Sequence, residues 1–242
     1  MYRYLHRQPQ GQAPESRPYR QRPVRVKTGI HYIITPPGFD GTGKHYMGRE
    51  ISEVMGWQAY DWLDRPEREG EERTDLLLQT LELRPGMVIA DVGAGTGYLS
   101  RRLSAAIGPD GRIHAVDVQP MMVRMLQRLT RIDGFANIAP SRCAEHDVQL
   151  PEGSLDLTIM LDVYHELSCP HEMLASIVRA TRPGGRIVFV EFKEEDPDIP
   201  IKPLHKMSET RVRREASVHR LVWERTVSHL PWQHVIFFRR AG

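Results

Sequence analysis

Val88-Ile89-Ala90-Asp91-Val92-Gly93-Ala94-Gly95-Thr96-Gly97 decides how the rest of the chain is read. An apolar strand-like run meets a glycine-rich turn, and a helical pattern starts immediately after it. Glycine permits positive φ and lets a ligand approach the backbone with no Cβ in the way, so this strand–turn–helix is a platform for a nucleotide or cofactor. Spacing narrows the choice. The order is G-x-G-x-G, with Tyr98 where a dinucleotide fingerprint has its third glycine or alanine, and no Gly-Lys-Ser/Thr triplet follows as in a phosphate loop. The Asp91 carboxylate at the strand end would repel a pyrophosphate but accept a hydrogen bond from an ammonium.

Outward from this stretch, strand-like and helical segments alternate. Met87–Val92, Arg112–Val116, Ile138–Arg142, Leu155–Leu161 and Arg186–Phe192 read as strands, and Gly97–Ile107, Met121–Ile132 and His171–Ala180 as helices. Such alternation predicts βαβ units, a parallel sheet covered by helices on both faces. After a loop with Pro197, Pro200 and Pro203 and a helix near 207–216, two strand-like runs, Leu221–Val227 and His234–Arg239, follow with a link too short for a parallel crossover. The expected fold is α/β and Rossmann-like, a seven-stranded, mostly parallel sheet ending in an antiparallel hairpin.

Ahead of this core (85–242) lie two other stretches. Residues 1–40 are a basic segment with seven Lys/Arg against Glu15 and Asp40, lacking either hydrophobic period over 1–28; they are expected to be a flexible tail and linker. Residues 41–84 are expected to form a helical lid: Ile51, Val54 and Met55 recur at helical spacing, and 67–83 opens acidic and places Leu76, Leu77, Leu78 and Leu81 on one face. Trp57 and Trp62 read as core anchors of that lid.

Composition excludes several classes. The 242 residues are 40% hydrophobic and carry a formal charge of +2, an ordinary globular balance. Two cysteines, Cys143 and Cys169, make no disulfide framework, and no leader-like run or 18-residue apolar stretch is present, so a cytoplasmic protein with no membrane span is expected. No H-E-x-x-H or Cys/His array occurs, and no metal site is expected.

Three strand ends would share one polar edge. Asp117, followed by Val118, ends the second strand at the distance where a Rossmann-type fold binds ribose hydroxyls, and it also stands where it can cap the next helix. Glu145, in Cys143-Ala144-Glu145-His146, follows the third. Asp162-Val163-Tyr164-His165-Glu166-Leu167 leaves the fourth, where His165 could serve as a general base with Glu166 orienting it. The loop Pro200–Met207 adds Lys202, His205 and Lys206, suited to an anionic acceptor.

At these residues the sequence resembles the class I S-adenosylmethionine-dependent methyltransferases, whose first motif takes the form Asp91-Val92-Gly93-Ala94-Gly95-Thr96-Gly97, and within them the ubiquinone/menaquinone-methyltransferase-like small-molecule branch. The resemblance covers residues 72–240. It implies that the turn meets the methionine moiety, Asp117 and Val118 the ribose side, Ala144 and Glu145 the adenine edge, and Asp162 the floor near the methyl group. It also implies a lid whose Tyr46, Met47, Arg49 and Arg65 reach the methionine carboxylate. Tyr164, His165, Glu166, His205 and Lys206 would position a small-molecule acceptor, and a homodimer is a compatible assembly. Because a sulfonium methyl is already electrophilic, the protein must mainly hold the acceptor in line with the leaving sulfur. Two rival readings are an RNA-interacting or RNA-modifying methyltransferase using the Arg-rich tail, and a cofactor-binding scaffold without catalysis.

Overall fold

A computed structural model describes residues 22–25 and 31–242. The remaining part of the basic segment, on which the RNA reading rests, lies outside the described residues. Among the described residues of 1–40, β1 (Arg22–Arg25) pairs antiparallel with β2 (His31–Ile34), where the sequence predicts a tail and linker.

Residues 41–52, expected as the start of a helical lid, are instead β3 (Gly41–Tyr46) and β4 (Arg49–Ser52), completing a four-stranded antiparallel sheet in the order β1-β2-β3-β4. The physical reason is the link between them. Met47 and Gly48 both take positive φ, 48° and 87°, which is the conformation a two-residue hairpin needs. The sheet buries Tyr32, Tyr46 and Ile51 together. It docks through Tyr32, whose hydroxyl donates to Glu172 Oε2 at 2.6 Å, and Lys44, which donates to the Ser168 carbonyl at 2.6 Å.

Helical structure begins with a 3-10 turn at Trp57–Ala59 and continues in α1 (Tyr60–Leu63), α2 (Arg68–Glu72) and α3 (Thr74–Thr80). One helix was expected over 67–83, but Arg73 at φ 53° breaks it in two. Trp57 and Trp62 are 37% and 44% exposed, not core anchors.

The large sheet contains β5 (Val88–Val92), β6 (Arg112–Asp117), β7 (Ile138–Arg142), β8 (Leu155–Leu161), β9 (Thr181–Lys193), β10 (Lys206–Met207), β11 (Leu221–Val227) and β12 (Gln233–Arg240). Its order is β11-β12-β9-β8-β5-β6-β7, with the two-residue β10 beside β9 as an eighth strand beyond the seven expected. β5 to β9 run parallel, and β12 is antiparallel to both β9 and β11. Four helices complete the domain: α4 (Tyr98–Ile107), α5 (Pro120–Asp133), α6 (Pro170–Ala180) and α7 (Glu209–Ala216).

Alternation along each strand builds both faces. Val188 and Val190 of β9 join Leu77 of α3 and Leu103 of α4 on one side, while Ile187 and Phe189 join Leu174 and Ile177 of α6 and Val212 of α7 on the other. A sheet buried on both faces reads as near-continuous apolar runs, which is why these strands were legible. The chain leaves β5 toward β6 on one side and returns at β8 on the other. The crevice at the carboxyl ends of β5 and β8 is therefore the topological switch point where such sheets bind ligands.

Candidate active site

The turn after β5 is held in the left-handed region at Gly93, Gly95 and Gly97, with φ of 74°, 55° and 82°. The Gly93 and Ala94 amides donate to the Val116 carbonyl of β6 at 2.8 and 3.0 Å, fixing the turn against the neighbouring strand. A Cβ on Gly93 would meet Val163 Cγ2 at 2.5 Å, and one on Gly95 would meet Leu63 Cδ1 at 2.7 Å. Asp117 accepts the Gly95 amide at 3.0 Å on one oxygen and the Gln119 amide at 2.8 Å on the other, so it ties the turn to the start of α5. Val118 beside it is half-buried.

Asp91 is enclosed beneath the turn and accepts the Ser100 hydroxyl at 2.6 Å. Burial pushes its carboxyl up to about 6, opposed by the Ser100 hydrogen bond and reinforced by the nearby Asp117 charge. The Thr96 hydroxyl is buried without a hydrogen-bonding partner. Arg68, absent from the sequence reading, enters the same cavity wall. Its Nε donates to Glu72 at 2.8 Å, its Nη1 to the Leu63 carbonyl at 2.8 Å, and its Nη2 lies 3.8 Å from Asp162 Oδ2.

Leu63 and Arg68 cap this turn so closely that a cavity of about 30 Å³ remains, room for about one water. Small-molecule sites span roughly 300–1,000 Å³, far more than the space under the 55–72 segment in this conformation. That segment is strapped down at two points. Gln119 accepts the Trp57 amide and donates to the Met55 carbonyl, both at 2.9 Å, and Glu166 Oε2 accepts the Met55 amide at 3.0 Å.

A second polar cluster sits beside the first. Glu191, wholly buried in β9, accepts the Tyr164 amide at 2.8 Å and lies 2.6 Å from His165 Nδ1. Burial works against the His165 imidazolium, but Glu191 outweighs it and holds the histidine above its ordinary pKa. Burial raises the Glu166 carboxyl to about 7, with the His165 charge pulling the other way. The His205 ring lies edge-on to His165, centroids 5.1 Å apart, and burial followed by the His165 charge lowers its pKa. His205 Nε2 is 2.8 Å from Asp40 Oδ2, at ion-pair distance though off hydrogen-bond alignment.

Several expected contacts are placed elsewhere. Arg49 forms a buried two-pronged pair with Glu215 of α7, at 2.9 and 3.0 Å, and donates to the His165 carbonyl at 2.8 Å; it fastens the small sheet instead of meeting the turn. Tyr46 is buried with its hydroxyl 3.3 Å from His171 Nδ1. Tyr164 packs edge-on against Phe189 in the core. Lys206 donates to the Asp196 and Ile199 carbonyls at 3.0 and 2.6 Å, pinning the proline loop and leaving no free ammonium for an acceptor. Arg65 pairs with Glu71 and Glu72 over the Trp62 ring, and Met47 occupies the hairpin link. Ala144 bridges to Asp147, and Glu145 is exposed, accepting the Ser168 hydroxyl at 3.0 Å.

Asp162 begins the turn out of β8. It takes φ 54°, burial raises its carboxyl well above the usual range, Gln233 donates to Oδ2 at 3.3 Å, and Oδ1 is buried without a partner. Glu191 was the legible omission: a carboxylate inside the apolar run Ile187–Phe192 must be compensated. Arg68 and Gln119 gave no such signal, standing in a charged run and a turn.

The profile of the family described as "Methyltransferase domain" matches residues 89–185, from β5 into β9. A ubiquinone/menaquinone biosynthesis C-methyltransferase from Burkholderia cenocepacia is 25% identical over 65% of this chain and 66% of its own length, so the match spans slightly less than two thirds of that relative. An uncharacterized 37.1 kDa protein in a transposon of Streptomyces fradiae is 31% identical over 71% of this chain and 49% of its own. Among solved structures, an S-adenosylmethionine-dependent methyltransferase from Aquifex aeolicus is 25% identical and superposes with a TM-score of 0.74, covering 78% of this chain and all of that one.

The donor set fits that cofactor. Asp117 suits a ribose diol, Asp91 an ammonium, Arg68 a carboxylate, and the unpartnered Thr96 hydroxyl leaves a donor beside them. The glycine turn, the switch point and a methyltransferase-domain match over residues 89–185 make the chain similar to the class I S-adenosylmethionine-dependent methyltransferases.

Proposed function

We propose that the chain transfers a methyl group from S-adenosylmethionine to a small-molecule acceptor seated against His165, Glu166 and His205. The observation that carries this is adjacency. Asp117 at the cofactor turn accepts the Gln119 amide, Gln119 donates to the Met55 carbonyl, and the Met55 amide donates to Glu166, so one hydrogen-bonded chain joins the two polar sites along a shared wall. The bound cofactor supplies an electrophilic methyl group. The chain's residues supply position: Asp117, Asp91 and Arg68 would hold the two ends of the cofactor, and the His165–Glu166–His205 cluster would orient the acceptor atom about 3–3.5 Å from the methyl. Glu191 keeps the His165 ring in one orientation. Lid closure over Leu63 would exclude water from the reacting atoms.

A small acceptor is supported by the enclosure under the 55–72 segment and by the quinone-biosynthesis relatives, whose alignment stops short of their full length. The test is calorimetric titration with S-adenosylmethionine, S-adenosylhomocysteine and NAD on the wild type and Asp117→Ala. The reading requires binding of the first two, weakened by the substitution; no heat with either, or preference for NAD, overturns it.

A further inference from the structure

We propose that His165, Glu166 and His205 form a binding site for one divalent first-row transition cation, of which zinc is the natural probe. Each residue offers one ligand atom, and the three atoms lie within 4.8 Å of one another. Two imidazoles and one carboxylate are a common donor set for zinc or iron in sites that keep coordination positions open. Metal–ligand bonds of about 2.1 Å place tetrahedral ligands roughly 3.4 Å apart, so side-chain rotations of about 1 Å complete the site.

The surroundings make it a built site. Metal-bound histidines almost always give their other ring nitrogen to a carboxylate, which fixes the ring and its tautomer. His165 has this arrangement, with Nδ1 2.6 Å from the buried Glu191 and Nε2 left over. Beside His205 a carboxylate stands at ion-pair distance, Asp40 Oδ2 lying 2.8 Å from Nε2 off hydrogen-bond alignment, while Lys202 holds the other Asp40 oxygen at 2.6 Å. His165 thus carries a hydrogen-bonded carboxylate, His205 has one at ion-pair distance, and both stand beside a third carboxylate, Glu166. Buried carboxylates at this density call for positive charge, and a divalent ion provides it. Sequence spacing could not show this, because the ligands come from the turn after β8 and from the loop ahead of β10.

For its role, though not for its existence, the ion rests on the methyltransferase reading. An acceptor hydroxyl or thiol bound at the open position loses its proton to solvent, because coordination lowers its pKa. Its oxygen or sulfur then bonds to the sulfonium methyl as the S–CH3 bond breaks, leaving S-adenosylhomocysteine.

The experiment uses the untagged full chain, stripped with chelator and titrated with Zn2+ against a chromophoric competitor and with Co2+ by visible spectroscopy. One equivalent should bind, with cobalt bands in the visible. His205→Ala should weaken binding more than about a hundredfold and abolish the bands, and Asp40→Asn should weaken it about 10–100-fold. Asparagine tolerates the φ of 70° at position 40, so that variant keeps its backbone. His171→Ala, at a separate histidine pair with His219, should bind as the wild type. Failure of the wild type to bind one equivalent, or unchanged affinity in folded His205→Ala and Glu166→Gln, overturns the proposal. Titrating the same variants with S-adenosylmethionine separates the two readings: cation binding without cofactor binding discards methyl transfer and keeps the ion site, and the reverse does the opposite.

Discussion

The cofactor turn and the histidine cluster share a wall but are built in opposite ways. The turn is local: Asp91, three glycines and the first residues of α4 fall within one stretch, and Asp117 ends the very next strand. The cluster is assembled from Asp40 beside β3, the turn after β8, Glu191 in β9 and the loop before β10. Local sites are specified by backbone conformation, and distributed ones by buried charge pairs. Damage to the first should therefore be felt in binding, and damage to the second also in stability.

The largest expected effect is at Glu191→Ala. Removing it strips His165 and the Tyr164 amide of a wholly buried partner, and urea unfolding should show a loss of about 3–5 kcal/mol. If stability falls by less than 1 kcal/mol, the cluster is not held by charge pairing and the contrast fails. Asp117→Ala should leave unfolding within about 2 kcal/mol of the wild type yet weaken S-adenosylmethionine binding by about 10–150-fold, measured calorimetrically.

A pH experiment sharpens the same contrast. Asp91 has a folded pKa near 6, above its ordinary value, because burial disfavours the charge. Folding therefore takes up a proton between about pH 4 and 6, and this group's penalty, present at neutral pH, is relieved as the pH falls. Stability curves of Asp91→Asn should lack that component, on the order of 3 kcal/mol, and identical pH slopes in the two proteins would refute it. Leu63→Ala should speed cofactor association severalfold in stopped flow while costing about 1 kcal/mol, since the side chain is half-buried over Gly95. The smallest change is at Glu145→Gln, whose exposed carboxylate should shift cofactor affinity by less than about threefold.

Legibility in the sequence follows the same division. The large sheet could be read because its strands are apolar runs bounded by turns and its helices carry one apolar face. The residues from 41 to 52 misled because the helical spacing of Ile51, Val54 and Met55 straddles the end of β4, and the Met47-Gly48 link lacks the usual Asn-Gly chemistry. Arg49, Tyr46 and Lys206 were assigned by placement near a motif, but each side chain is spent on a distant partner that no local pattern announces. His165, Glu166 and His205 were singled out individually. Their convergence depends on Glu191 and Asp40, which three-dimensional packing brings in.

The buried pair between Arg49 and Glu215 spans 166 positions of the chain. At translation rates of about 5–20 residues per second, the amino-terminal strands leave the ribosome roughly 8–30 s before the carboxylate that neutralises them exists. During that interval the nascent small sheet has no counter-ion to close on, so strands made well ahead of their partner are among the last to be fastened.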